Sequence, residues 1–91
     1  MKRKIELKDL YSVGEATLRD FALLGIKTVS QLKKKNARSL YVKLSKIIGQ
    51  KLDPCVEDVF SAAIAQARNP ALPKEQRNWW YWSKIRKLRK F

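Results

Sequence analysis

Ser12, Val13 and Gly14, with Thr17 one helical turn further on and Lys8 and Arg19 to either side, form a cluster whose types and spacing suit an anion. The chemistry belongs mainly to the backbone. A tight turn aims successive N–H groups outward beside a helix N-terminus, where a phosphate oxygen can sit. Gly14 leaves the approach open, the Ser12 hydroxyl can donate, Thr17 can reach the same anion, and Lys8 and Arg19 add flanking charge. Glu15 works against this: it suits the positive end of the helix but repels a phosphate close by. A turn that is only structural is the competing reading.

A second chemical segment lies near the end of the chain. Trp79, Trp80, Tyr81 and Trp82 are four of the nine aromatic residues, and Lys84, Arg86, Lys87, Arg89 and Lys90 follow them. Exposed, such a segment stacks bases and binds phosphates. Buried, it is an anchor in which the indoles cover the core and the cations stay wet. The anchor is favoured for at least two of the tryptophans, because three exposed indoles reduce solubility. Ile85, Leu88 and Phe91 also allow a short membrane-surface helix, which binds weakly at this length.

Three carboxylates, Asp53, Glu57 and Asp58, invite a metal or acid–base reading. A simpler assignment accounts for all of them: Asp53 caps a helix, and Glu57 and Asp58 favour its positive end. Cys55 is the single cysteine and there is no histidine. An internal disulfide is therefore impossible, a Cys/His zinc site lacks ligands, and the thiol has no partner for catalysis, so a packed, inert cysteine is expected. No enzyme, cofactor or metal is expected.

Lys and Arg number 21 against 8 acids, a formal charge of +13 over 91 residues. That balance favours an anionic partner, whether nucleic acid, an anionic membrane surface or an acidic protein, although charge that only keeps a small protein soluble accounts for the composition equally well. A chain of this length buries only about 60–65% of its unfolded surface, enough for one modest core and hardly for a deep cleft. No stretch approaches the roughly 18 apolar residues of a membrane span, and the start lacks an apolar signal region, so no integral membrane association is expected and the cytoplasm is the default location.

The elements that must position these residues are helical throughout. Ile5, Leu7 and Leu10 begin a short first helix that stops near Tyr11. Glu15 to Leu24 places Ala16, Leu18, Phe21, Ala22 and Leu24 largely on one side, and Gly25 closes that helix with Ile26 folding back. The two arms and their turn, Leu7 to Gly25, have the pattern of a helix-hairpin-helix. Thr28 and Gln31 fit a capping box opening a helix over about 29–35. Asn36 caps a fourth, with Leu40, Tyr41, Leu44, Ile47 and Ile48 as its buried stripe up to Gly49. Lys33, Lys34, Lys35 and Arg38 read as a solvated helix end.

Asp53-Pro54 starts the fifth helix, which carries Val56, Val59, Phe60, Ala63, Ile64 and Ala67 and stops at Asn69-Pro70. A turn or linker then leads to the aromatic segment, where Ser83 can cap a helical turn or two. Ile47-Ile48-Gly49 before that fifth helix weakly echoes the first hairpin, although an ordinary loop explains it more simply. The sum is an all-α fold, a compact five-helix domain. Residues 1–69 form the helical body, and 70–91 a Pro-containing turn and Trp-rich basic tail packed on it.

LYSVGEATLRDFALLGIKTVSQL, LDPCVEDVF and NWWYW with its basic end together resemble the small bacterial helix-hairpin-helix proteins known as pathogenicity-locus or cadmium-inducible proteins. The hairpin half is more loosely similar to the C-terminal domain of TfoX-type competence regulators. The first resemblance implies an all-helical fold and DNA binding. Two positions depart from the usual hairpin pattern: Ser12 stands where a glycine is common, and Glu15 where a proline or neutral residue is common. The expected activity is therefore non-specific binding of DNA or a structured nucleic acid through backbone phosphates, since no helix carries base-reading side chains at a defined spacing. The alternative is a protein-interaction module in which the hairpin is scaffold and the tryptophans are the contact surface; the oligomeric state is open.

Overall fold

The computed structural model describes residues 5–88. After a 3-10 turn at Leu7–Asp9 come α1 (Glu15–Leu23), α2 (Val29–Leu32), α3 (Ala37–Ile48) and α4 (Cys55–Arg68), then a second 3-10 turn at Lys74–Arg77 and α5 (Trp79–Leu88). No strand occurs among the described residues, and the fold is all-α with five helices. The membership differs from expectation at both ends. The expected first helix is a single 3-10 turn, and the aromatic segment, expected to hold a turn or two, is a ten-residue helix.

Helix α4 is the element around which the others pack. Asp53 starts it by accepting the Cys55 N–H at 2.8 Å, and Pro70 lies just beyond its end. Phe60, Ala63, Ile64 and Ala67 are buried as their spacing predicts, and Phe60 stacks on Phe21 of α1 with ring centroids 5.5 Å apart. Each fully buried side chain of this size contributes about 1.5–3 kcal/mol. A second side of α4, carrying Asp58, Ala62 and Gln66, is buried as well, because α5 and the turn before it lie there. The small residues Ser61, Ala62, Ala63, Ala65 and Ala67 let neighbours approach from both sides.

Local rules account for most of the other boundaries. Thr28 and Gln31 form the capping box, with Thr28 Oγ1 accepting the Gln31 N–H at 3.1 Å and Gln31 Oε1 accepting the Thr28 N–H at 3.2 Å. Asn36 caps α3 through the Ser39 N–H at 3.1 Å. Gly25 is left-handed at φ 77°, and Ile26 turns back to donate to the Phe21 carbonyl at 2.8 Å while burying its own side chain.

Two helices are shorter, or less buried, than their patterns predict. α2 ends at Leu32 because the chain tightens to i→i+3 bonds at Lys34 and Lys35, and Arg68 captures the carbonyls of Lys33 and Lys35 at 2.9 and 3.0 Å. The α3 stripe is buried at Leu40, Tyr41 and Leu44 only. Ile47 and Ile48 stay 46% and 42% exposed, so the apolar spacing runs one turn further than the packing.

Candidate nucleic-acid interface

The segment before the Ser12 turn is a single 3-10 turn, Leu7–Asp9. Leu7 and Leu10, both buried, line up on one side of a 3-10 turn, while Asp9 folds back to accept the Glu6 N–H at 2.9 Å. The chain then turns at Ser12, which has φ 73° and is the one non-glycine residue in the left-handed region among those described. That conformation costs an L-residue about 1–2 kcal/mol.

Neighbouring groups hold the turn in place. Gln66 Oε1 accepts the Tyr11 N–H and Gln66 Nε2 donates to the Tyr11 carbonyl, both at 2.7 Å, and the same amide also donates to Ala62 O at 3.2 Å. The Ser12 hydroxyl donates to the Arg77 carbonyl at 2.9 Å. Its hydrogen is thus spent inward, which corrects the expectation that it donates to an anion. Val13, half-buried, packs against the core, and its N–H donates to the Leu10 carbonyl at 3.2 Å, so it has no free donor for an anion.

Gly14 is the N-cap of α1, extended at φ −104°, ψ −171°, with no side chain to cap the helix. A Cβ added there meets nothing within 4 Å. The fold therefore does not require glycine at this position. The first bond into the helix is Leu18 N–H to the Gly14 carbonyl at 3.0 Å, so the N–H groups of Glu15, Ala16 and Thr17 precede the intrahelical ladder. Gly14, Glu15 and Arg19 are exposed and Thr17 is half-buried. Lys8 is exposed too, its ammonium 3.8 Å from a Glu6 carboxylate oxygen.

Helix α5 separates the aromatic residues into two kinds. The Trp82 indole N–H donates to the Gln76 carbonyl at 2.7 Å, and its half-buried ring meets Tyr81 edge-on at 5.3 Å. Trp79 and Trp80 are 39% and 45% exposed, with the Lys84 ammonium 5.6 Å from the Trp80 ring centroid. Sequence reasoning favours at least two tryptophans as anchors, whereas only Trp82 is held in this way; Trp79 and Trp80 are the first two residues of α5 and stay exposed although Ser83, one turn on from Trp79, is buried.

The cations of this segment divide similarly. Arg86 grips Asp58 with two bonds, Nε to Oδ1 at 2.9 Å and Nη2 to Oδ2 at 3.0 Å. Asp58 is almost fully buried, and its hydrogen bonds raise the guanidinium above its ordinary pKa. Arg86 is therefore structural, which corrects its assignment as a phosphate contact. Lys84 and Lys87 are exposed. Arg89, Lys90 and Phe91, like the basic residues 2–4, lie outside the described residues.

The acids at the start of α4 are cross-links rather than mere partners of the helix dipole. Asp58 holds α5 through Arg86, and Glu57 holds α3 through Arg38 Nη1 at 3.0 Å. Asp53, besides its backbone bond, bonds the Cys55 thiol and pushes that thiol's pKa up, which disfavours a reactive thiolate. No group of three or more His, Cys, Asp or Glu side chains among the described residues could hold a metal ion. Among the described residues, no helix is long and apolar enough to cross a membrane.

Comparison with known proteins adds the family to this geometry. The pathogenicity-locus family, Cdd1, matches residues 1–88. The chain belongs to that family. The match spans both the hairpin segment and the Trp79–Trp82 helix, so the two candidate surfaces are parts of one pathogenicity-locus domain. The mitomycin resistance protein McrB of Streptomyces lavendulae is 36% identical over 83 residues, covering 90% of this chain and 74% of the relative. No solved structure matches.

In this pathogenicity-locus protein, Gln66 and the Arg77 carbonyl hold the turn, and sequence reasoning missed both. A signal for Gln66 existed: it is a polar residue within an alanine-rich run, where a buried amide must find backbone partners. The Arg77 carbonyl carried no side-chain signal at all.

Proposed function

We propose that this protein binds DNA, or a structured nucleic acid, without sequence specificity, as a non-enzymatic module acting in the cytoplasm. The turn from Leu10 to Gly14 then serves as the hairpin of a helix-hairpin-helix and delivers a backbone phosphate to the start of α1. One observation carries the reading: α1 opens on an uncapped, unobstructed Gly14 at a turn held by Gln66 and Ser12. A turn held this firmly fixes the start of α1, where the N–H groups of Glu15, Ala16 and Thr17 precede the ladder, without an ordering cost on binding. Lys8, Arg19, Lys84 and Lys87 supply exposed charge within a chain of net charge +13.

The test is a titration of duplex DNA at several salt concentrations. Contact with about four to six phosphates gives a log–log slope of about −4 to −5. Gly14→Val, whose added Cβ meets nothing within 4 Å, cuts duplex affinity while the chain stays folded, with the melting temperature lowered only by the poorer helix cap. Salt-dependent binding that survives this substitution removes the hairpin from the mechanism. If no salt-dependent binding occurs, the second reading, a protein-interaction module, takes its place. The exposed Trp79 and Trp80 are the observation that favours that alternative.

A further inference from the structure

The outer side of α5 is left over once the fold has used Tyr81, Trp82, Ser83 and Arg86. Trp80, Lys84 and Lys87 are spaced i, i+4 and i+7, so they share one side of the helix, and all are exposed. Trp79 adjoins them, 39% exposed. The Lys84 ammonium stands over the Trp80 ring, 5.6 Å from its centroid, a cation–π contact on one face of the exposed indole that an incoming base shares or displaces. The helix from Trp79 to Leu88 contains no acid.

An apolar protein groove as partner explains the indoles but leaves Lys84 and Lys87 to be desolvated without compensation. A duplex explains the lysines but not the indoles, since its bases are already stacked on one another. An unpaired nucleotide satisfies both: the base lies on the indole and its phosphate meets an ammonium. Trp82 has its N–H and ring engaged within the protein, whereas the exposed Trp80 ring meets the Lys84 ammonium, which a phosphate can draw off as a base stacks.

We infer that Trp80, with Lys84 and Lys87, is a stacking platform for unpaired bases of single-stranded nucleic acid, a ligand distinct from the duplex backbone assigned to the hairpin. The inference rests on the proposed nucleic-acid binding only in taking a polynucleotide as ligand. It names a different strand state and a different contact, the Trp80 ring, beside lysines that also lend charge to duplex binding.

The experiment measures binding of the full chain to a labelled oligothymidylate of roughly 12 nucleotides and to a duplex of the same length, at fixed salt. Trp80→Ala weakens oligothymidylate binding by about 5- to 150-fold, the range found for loss of one base–aromatic stack. Trp80→Phe restores most of it, and both variants bind duplex within about twofold of the parent. Gly14→Val acts the other way round, so failure of the hairpin and failure of the platform are read separately. Unchanged oligothymidylate binding by Trp80→Ala overturns the inference. So does an equal loss on both ligands, or no binding of the oligothymidylate by the parent chain. Sedimentation of the free protein covers the remaining occupant, a second copy of the chain: self-association that Trp80→Phe abolishes also overturns it.

Discussion

Helix α1 begins at Gly14 with Glu15 as the one acid in its first turn, and α4 begins under Asp53, Glu57 and Asp58. The approach to each passes a left-handed residue, Ser12 at φ 73° and Gly49 at φ 83°, so the two stretches share an outline. They differ in where the positive end of the helix finds its negative charge. At α4 the protein supplies it, and two of the three carboxylates also tie in neighbouring helices. At α1 the protein supplies little, and the site faces outward. The same local feature thus serves assembly in one place and, in our proposal, an external phosphate in the other.

The largest effect that separates the two ends is on stability. Asp58→Ala leaves Arg86 without its partner in a partly buried setting, and loss of one member of such a pair costs about 3 kcal/mol. Urea unfolding monitored by circular dichroism measures it. A loss below about 1 kcal/mol would mean that α5 is held by its apolar contacts alone, and the contrast with α1 would lose its structural side.

A smaller effect concerns binding. Glu15 is the one acid in the first turn of α1, and removing its charge relieves repulsion of a nearby phosphate worth about 0.3–1 kcal/mol. Glu15→Gln therefore raises duplex affinity by roughly two- to fivefold at low salt, whereas Asp53→Asn leaves it unchanged. Equal responses at the two positions would show that only net charge matters and that neither helix end is a site.

How much of this was legible in the sequence depended on the range of the interaction. Caps and stops act within a few residues, so Thr28 with Gln31, Asn36, Gly25, Gly49 and Asp53 could be read directly and stand where expected. Apolar spacing located Phe21, Leu44 and Phe60 but overran at Ile47 and Ile48, because a helical period says which side is apolar and not how far a neighbour extends. The groups that fix the candidate site were the least legible. Gln66 reaches Tyr11 across 55 positions and Asp58 reaches Arg86 across 28, and neither pair has a local signature. The exposure of Trp79 and Trp80 has no local signature either: both stand at the start of α5, and how far neighbouring elements cover that end is set by packing.

The smallest expected effect is the acid response of Asp53 set against that of Asp20 in α1. Hydrogen bonds from Cys55, backbone first, hold the Asp53 carboxyl below its ordinary pKa. Its contribution to stability is therefore complete above the unfolded value of about 3.9 and fades as pH falls through the lower folded value. Asp20 has the opposite sign. Partial burial raises its pKa, against a smaller lowering by Arg19. The folded state then takes up a proton at Asp20 before the unfolded state does, and the cost of keeping it ionised is present above the folded pKa and relieved as pH falls through it. Melting temperatures from about pH 2.5 to 7 should show Asp53→Asn lowering stability at neutral pH and converging on the parent in acid. Asp20→Asn should instead raise stability at neutral pH and converge likewise. Both shifts are small, since Asp53 is solvent-exposed and Asp20 only half-buried, where water screens the charge. A shift of the same sign for both substitutions would remove the distinction, because it would mean that α1 carries its acids as comfortably as α4 does.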